Sequence, residues 1–265
     1  MPYKFMISGG GTGGHIFPAL AIADELKRRF PDSELLFVGA SNRMEMQRVP
    51  QAGYKIEGLW ISGIQRKITL SNLSFPFKLI SSLWKCRALI KRFKPHAVIG
   101  TGGFASGPLL YQASKKNIPC LIQEQNSYPG ITNKILGKSV QKICVAYPGM
   151  ERFFDRNKLV LTGNPIRASI KAKLPSQEQA QHHFGFAEAK PSLLIVGGSL
   201  GSRRINELVA ESLPALLKLN INIIWQCGKI YHQALKEQFK DLDKRHVLLT
   251  DFLDDMNQAF AASSV

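Results

Sequence analysis

The chain has 265 residues, with 35 Lys and Arg against 19 Asp and Glu, a formal charge of +16 at pH 7. At roughly 100 to 200 residues per domain this allows one large or two ordinary domains, and 45% hydrophobic with 20% charged residues supplies a core and excludes disorder and coiled coil. Cys86, Cys120, Cys144 and Cys227 form no C-x-x-C pair, and no signal peptide or long uncharged apolar run is present, so zinc ribbons, disulfide frameworks and membrane spans are excluded and a cytosolic protein is expected.

In chain order, short apolar β-branched runs alternate with amphipathic stretches, the pattern of a βα-wound parallel sheet and so of the α/β class. Strands are predicted over 4–8, 35–38, 55–59, 97–100, 119–122 and 142–146, with a helix over 17–30 that stops at Pro31. This makes one complete unit, and a polar, Pro-punctuated segment then places a boundary at 165, giving domains 1–164 and 165–265. The second domain reads as strand 192–196, helix 204–217, strand 222–226, helix 231–242, strand 246–249 and helix 254–262. Three strands without a closing helix fall short of a two-sided sheet, so the sequence is expected to be a fragment or a shortened relative of a longer protein.

Three glycine-rich turns follow apolar strands, at 9–14, 102–107 and 197–201. Glycine between a strand end and a helix start lets backbone N–H groups approach an anion, and the helix dipole favours negative charge there. Repeated three times, the feature points to phosphates. Gly9, Gly11 and Gly14 also satisfy G-x-G-x-x-G, but the acid a dinucleotide ribose needs after strand 35–38 is replaced by Gly39-Ala-Ser-Asn-Arg43, so an oxidoreductase is disfavoured. Gly197, Ser199 and Gly201 match the G-x-S-x-G elbow of hydrolases. Only His232 and His246 follow, with Asp241 and Asp243 on the polar end of a predicted helix, so neither a triad nor a D-x-D metal clamp is assigned.

Between Gly58 and Met150 the single acid, Glu124, faces thirteen Lys and Arg. Such a block attracts anionic surfaces. Leu73, Phe75, Phe77, Leu79 and Trp84 lie among these lysines, and aromatics beside lysines suit a membrane interface. Leu79/Ile80, Leu83/Trp84, Ile90 and Phe93 have helical spacing and can equally face inward, which leaves Phe75 and Phe77, flanking Pro76, as the best candidates for exposure. No RNP-like strand, zinc-finger spacing or Arg-rich recognition helix is present, so no nucleic acid partner is expected.

Six ordered motifs carry a resemblance: Gly10-Gly-Thr-Gly-Gly-His-Ile-Phe-Pro18, Gly102-Gly-Phe-Ala-Ser-Gly-Pro108, Gln123-Glu-Gln-Asn126 followed by Thr132-Asn-Lys134, Gly163-Asn-Pro-Ile-Arg167, Gly197-Gly-Ser-Leu-Gly201 and Phe252-Leu-Asp-Asp-Met256. Together they resemble the lipid I N-acetylglucosaminyltransferases of bacterial peptidoglycan synthesis, a family 28 type. The resemblance implies the GT-B arrangement, two Rossmann-like domains with a cleft between them, the second incomplete here. It implies inverting transfer of GlcNAc from UDP-GlcNAc to the C4 hydroxyl of MurNAc in undecaprenyl-diphospho-MurNAc-pentapeptide, with no cofactor and no metal, at the cytoplasmic face of the inner membrane. It also implies that Thr12, Gly13, Gly14 and Gly103 lie near the acceptor diphosphate and donor sugar and that Asn126 binds that sugar. Arg167 and Ser199 would contact the donor nucleotide, and Leu253 the uracil.

Inversion needs a base for the acceptor hydroxyl. His15 is the first choice, because the positive end of a helix dipole favours a neutral imidazole. Glu124 is the second, unless its charge only pairs with Lys or Arg. Where many members have His this chain has Gln123, so that position is no obligatory base. The family continues beyond a point matching Val265 with further donor-binding segments, so the 265-residue chain alone is expected to be nearly inactive. Two alternatives stay open: a related lipid glycosyltransferase, and a non-catalytic membrane module that recruits a separate donor-binding chain.

Overall fold

Residues 2–63, 74–166, 174–198, 200–241 and 245–265 are described by a computed structural model. The chain divides into two units, Met1–Arg167 and Ala168–Val265.

In the first unit seven parallel strands, β1 (Lys4–Gly9), β2 (Glu34–Ala40), β3 (Lys55–Leu59), β4 (Ala97–Gly102), β5 (Cys120–Glu124), β6 (Lys142–Val145) and β7 (Leu159–Leu161), form one sheet in the order β3-β2-β1-β4-β5-β6-β7. β1 and β2 are buried almost throughout, because helices cover both faces of a parallel sheet. Alternate residues divide between two cores. Met6, Leu36, Val98 and Ile122 face one side, while Phe5, Ile7, Phe37 and Ile99 face the other. The covering helices are α1 (Gly13–Arg29), α2 (Glu45–Gln51), α3 (Phe75–Phe93), α4 (Ser106–Ser114) and α5 (Ile131–Leu136). The chain winds outward from β1 to β3 and returns to β4 on the other side of β1, so the turns after β1 and β4 open beside each other at the point where strand order reverses.

α1 starts four residues before the predicted start at 17, because Gly13 and Gly14 belong to its first turn. Low helix propensity hides glycines in the pattern, yet the first turn needs no partner for its N–H groups and tolerates them. Lys27, Arg28 and Arg29 complement the dipole in the last turn. α2 was not predicted; it is short and includes Pro50.

In the second unit β8 (Ser192–Val196), β9 (Asn222–Gln226) and β10 (Val247–Thr250) are parallel in the order β10-β9-β8. α6 (Gln177–His183), α7 (Arg203–Leu217), α8 (Lys229–Gln238) and α9 (Met256–Ala262) accompany them. α6 lies where the sequence reads as a polar segment, and it is held by a capping box in which Ser176 and Gln179 each bond the other's backbone N–H. α8 starts two residues before the predicted 231 and ends at Gln238, well short of 242, a residue outside those described. Trp225 is fully buried, and its Nε1 donates to Asn206 Oδ1 at 3.1 Å while Asn206 Nδ2 donates to the Cys227 carbonyl at 2.9 Å. The Ser264 and Val265 N–H groups both donate to Ser192 O, and Leu194 N donates to Val265 O, along the edge of β8.

All four cysteines are free. Burial pushes the thiols of Cys86 and Cys120 up to about 12, and those of Cys144 and Cys227 upward, so they pack as small apolar groups.

Candidate functional site

The turn after β1 carries most of the chemistry. Thr12 caps α1 in extended conformation without a side-chain bond to the helix, and no acidic residue occupies the first turn. The N–H groups of Gly13 and Gly14 have no intrahelical acceptor at that position, which makes the helix start a seat for an anion. Thr12 and Gly14 are exposed and Gly13 half-buried.

His15, half-buried on the same turn, has Nδ1 3.0 Å from the Gly10 carbonyl. A carbonyl only accepts, so Nδ1 carries the hydrogen and neutral His15 presents Nε2 as a proton acceptor. The ring lies against the turn after β4. A Cβ on Gly102, whose φ is +104°, would stand 3.0 Å from Nε2. One residue on, a Cβ on Gly103 would overlap the Gly10 carbonyl oxygen, so the two turns meet at a distance only glycine permits. The Gly10 N–H completes the junction by donating to Gly102 O at 3.3 Å.

Glu124, at the end of β5, is 1% exposed. Its Oε1 accepts from Asn126 N and Asn126 Nδ2, both at 3.0 Å. Its Oε2 accepts from Gly130 N at 3.2 Å and Asn133 Nδ2 at 2.9 Å. These four donors occupy the four lone-pair sites of a carboxylate. Glu124 is therefore neither a free base nor, among the described residues, the partner of a Lys or Arg; it shapes the loop that presents Asn126. Asn126 is exposed, and among the described residues its Oδ1 and one amide hydrogen are left over for a ligand. Gln123 is buried beside it and donates to Asn164 Oδ1 at 3.2 Å.

In the second unit, Ser199 lies outside the described residues, as does Arg167 nearer the middle of the chain. Around Ser199 the backbone of the turn is described: Gly197 N donates to Gln226 O at 2.9 Å and Gly201 N to Gly198 O at 3.0 Å. Leu253 is 8% exposed and packs in a core cluster with Phe186, Ile224 and Ala259. Asp241, expected on the helix, is exposed in the turn beyond the end of α8, and Asp243 lies outside the described residues. Among the described residues no three His, Cys, Asp or Glu side chains gather into a metal-holding group.

The membrane candidates divide along α3. Phe77, Ile80 and Trp84 are 69%, 55% and 76% exposed, at helical spacing on one side. Exposed Arg87 and Lys91 follow on the same helix and make no ion pair among the described residues. Leu79 and Phe93 pack against the core with Cys86, Leu89 and Ile90. Phe75, expected to be exposed, is half-buried at the first turn, and Leu73 lies outside the described residues. Among the described residues no helix is long and apolar enough to cross a membrane.

One feature of the site escaped the sequence reading. Glu45, the first residue of α2, is fully buried beneath the β1 turn, where it accepts from Gly11 N and Ala40 N, each at 2.9 Å. The acid sought over 39–43 for a ribose thus exists a little further along and points inward. Its signal was the pair of glycines, Gly10 and Gly39, that make room for it.

The description of the glycosyltransferase family 28 N-terminal domain matches residues 5–145, and that of the family 28 C-terminal domain matches residues 192–265. A protein of Flavobacterium psychrophilum named UDP-N-acetylglucosamine--N-acetylmuramyl-(pentapeptide) pyrophosphoryl-undecaprenol N-acetylglucosamine transferase is 54% identical over 264 residues, 99% of this chain and 71% of its own. Its namesake from Cytophaga hutchinsonii is 53% identical over 100% of this chain and 70% of its own. Among solved structures, MurG of Acinetobacter baumannii aligns with a TM-score of 0.66 at 27% identity, covering 99% of this chain and 72% of that one. The UDP-GlcNAc 2-epimerase of Neisseria meningitidis has the same TM-score of 0.66 at 12% identity over 98% of this chain and 75% of that one, a likeness of fold alone.

Proposed function

The chain belongs to glycosyltransferase family 28, and from that premise we propose that it transfers GlcNAc from UDP-GlcNAc to the C4 hydroxyl of MurNAc in undecaprenyl-diphospho-MurNAc-pentapeptide, with inversion, in peptidoglycan synthesis. The observation that carries the chemical reading is His15, held with Nδ1 on the Gly10 carbonyl and with Nε2, unpartnered among the described residues, beside a helix start suited to an anion. Nε2 removes the proton of the C4 hydroxyl as its oxygen bonds to the anomeric carbon. The bond from that carbon to the UDP oxygen breaks, and the sugar inverts.

The N–H groups of Thr12, Gly13 and Gly14 receive the acceptor diphosphate, and Gly103 lets the turn after β4 close against that turn beside the reacting sugars. Asn126, fixed by Glu124, bonds the donor sugar. Arg167 and Ser199 meet the UDP diphosphate, whose growing charge suits a guanidinium and a hydroxyl donor. Leu253, held by its core neighbours, forms part of the apolar wall beside the uracil. Phe77 and Trp84, joined by Ile80 and bordered by Arg87 and Lys91, seat the first unit on the anionic cytoplasmic face of the inner membrane, with half-buried Phe75 at the start of that helix and Leu79 packed on the core behind it.

The test is transfer of labelled GlcNAc from UDP-GlcNAc to a short-chain analogue of the lipid acceptor, by the chain alone and extended by the donor-binding segments its family carries. A β-linked disaccharide product from the extended form is the expected result. No transfer by either form, with the acceptor bound, overturns the reading.

A further inference from the structure

Glu45 is a buried carboxylate with no place in the chemistry above, yet it is one peptide away from His15. Its Oε2 accepts from Gly11 N at 2.9 Å. The same peptide unit presents the Gly10 carbonyl to His15 Nδ1 at 3.0 Å. Carboxylate, peptide and imidazole therefore form one hydrogen-bonded line. The other oxygen, Oε1, accepts from Ala40 N at 2.9 Å, which fastens the carboxylate to the end of β2. Any Cβ on Gly10 would overlap the Glu45 carboxylate, and one on Gly39 would press on its Cγ, so both glycines make room for this side chain. From the far side, Gly103 packs against the Gly10 carbonyl, and the preceding peptide is tied by Gly10 N to Gly102 O. The Gly10–Gly11 peptide cannot turn over without losing bonds at both ends.

We propose that Glu45 is a positioning residue for His15, acting through the Gly10–Gly11 peptide. The proposal rests on the reading of His15 as the base. Accepting from the peptide N–H, the carboxylate polarises the unit and strengthens its carbonyl as an acceptor. The carbonyl then holds the hydrogen on Nδ1 and leaves Nε2 to take the proton from the acceptor hydroxyl. When His15 becomes an imidazolium, its positive charge lies on the line that ends in the Glu45 carboxylate. The logic is that of a carboxylate orienting a catalytic histidine, with a peptide inserted between them. A purely structural role, joining α2 to β2, would need only the bond to Ala40 N.

The experiment is nitrogen-detected NMR of histidine-labelled protein, at a pH where His15 is neutral, on wild type, Glu45→Gln and Glu45→Asp. Wild-type His15 is expected to carry its hydrogen on Nδ1. In Glu45→Gln the carboxamide cannot accept from both Gly11 N and Ala40 N. The His15 signal should then move toward the Nε2–H form, and in the extended form kcat should fall about tenfold or more, with KM for UDP-GlcNAc unchanged. Glu45→Asp keeps the charge and is expected to fall between the two. Wild-type His15 found as the Nε2–H form overturns the proposal without any variant, as does a folded Glu45→Gln with wild-type tautomer and kcat. If instead the tautomers behave as expected while His15→Ala keeps full turnover, the reading of His15 as base fails and the line from Glu45 stands.

Discussion

The turns after β1 and β8 look alike in sequence, each leading from the first strand of a sheet through glycines into a helix, but they are tied by different chemistry. The β1 turn is fastened by a carboxylate below, through Gly11 N, and by an imidazole above, through Gly10 O. The β8 turn is fastened by backbone and by a carboxamide, Gln226 Nε2, which donates to Gly198 O at 2.9 Å and to Asp251 O at 2.7 Å. α1 begins on Gly13 with no acid in its first turn, whereas α7 begins on Arg203 and Arg204, both paired to Glu207, at 2.6 Å and 3.6 Å. One glycine signature thus stands beside an imidazole and a buried carboxylate, and the other, among the described residues, beside backbone and a carboxamide. The difference lies in the side chains behind the turns.

The largest effect is expected at Glu124. Glu124→Ala strands four N–H donors and is expected to cost on the order of 3 kcal/mol in urea unfolding; a loss below about 1 kcal/mol would mean the loop amides find other partners. The two turns can be compared directly through their glycines. Gly201 (φ +82°) has no room for a Cβ, which would meet the Cys227 carbonyl, while Gly11 (φ +88°) faces open space. Gly201→Ala should therefore cost about 2–3 kcal/mol and Gly11→Ala only about 1 kcal/mol, the conformational cost alone. Equal losses in calorimetry would contradict the claim that the β8 turn is the tighter backbone junction.

Smaller effects should follow on α3. Phe77→Ser with Trp84→Ser should change stability by no more than about 0.5 kcal/mol, yet weaken binding to vesicles rich in anionic lipid. Leu79→Ala should do the reverse, costing stability and sparing vesicle binding. The smallest response is expected from the thiols. With Cys86 and Cys120 pushed up to about 12 by burial, a thiol reagent at pH 8 should leave both unmodified in native protein and label them on unfolding.

The sheets were legible because parallel strands are continuous apolar runs; 55–59, 192–196 and 222–226 match β3, β8 and β9 to the residue. β7, three residues with Val160 and Leu161 exposed, has too little pattern to be read. α2 and α6 were missed because each is seven residues long and too polar or too broken by proline to show a period. At the site, the glycine turns and His15 were readable as motifs. The roles of Glu124 and Glu45 were not, since sequence gives a carboxylate's identity but not the number of N–H groups that reach it. For α3, helical spacing was plain, but the choice of Phe75 over Ile80 for exposure needed the angular position of each side chain about the helix.

The most direct test of the account is the rate of labelled GlcNAc transfer to the short-chain acceptor by the extended form and by its His15→Ala variant, measured beside UDP binding. A loss of turnover of about 10²- to 10⁴-fold with UDP affinity unchanged is the predicted result. Turnover within tenfold of wild type would place the base elsewhere and contradict the account.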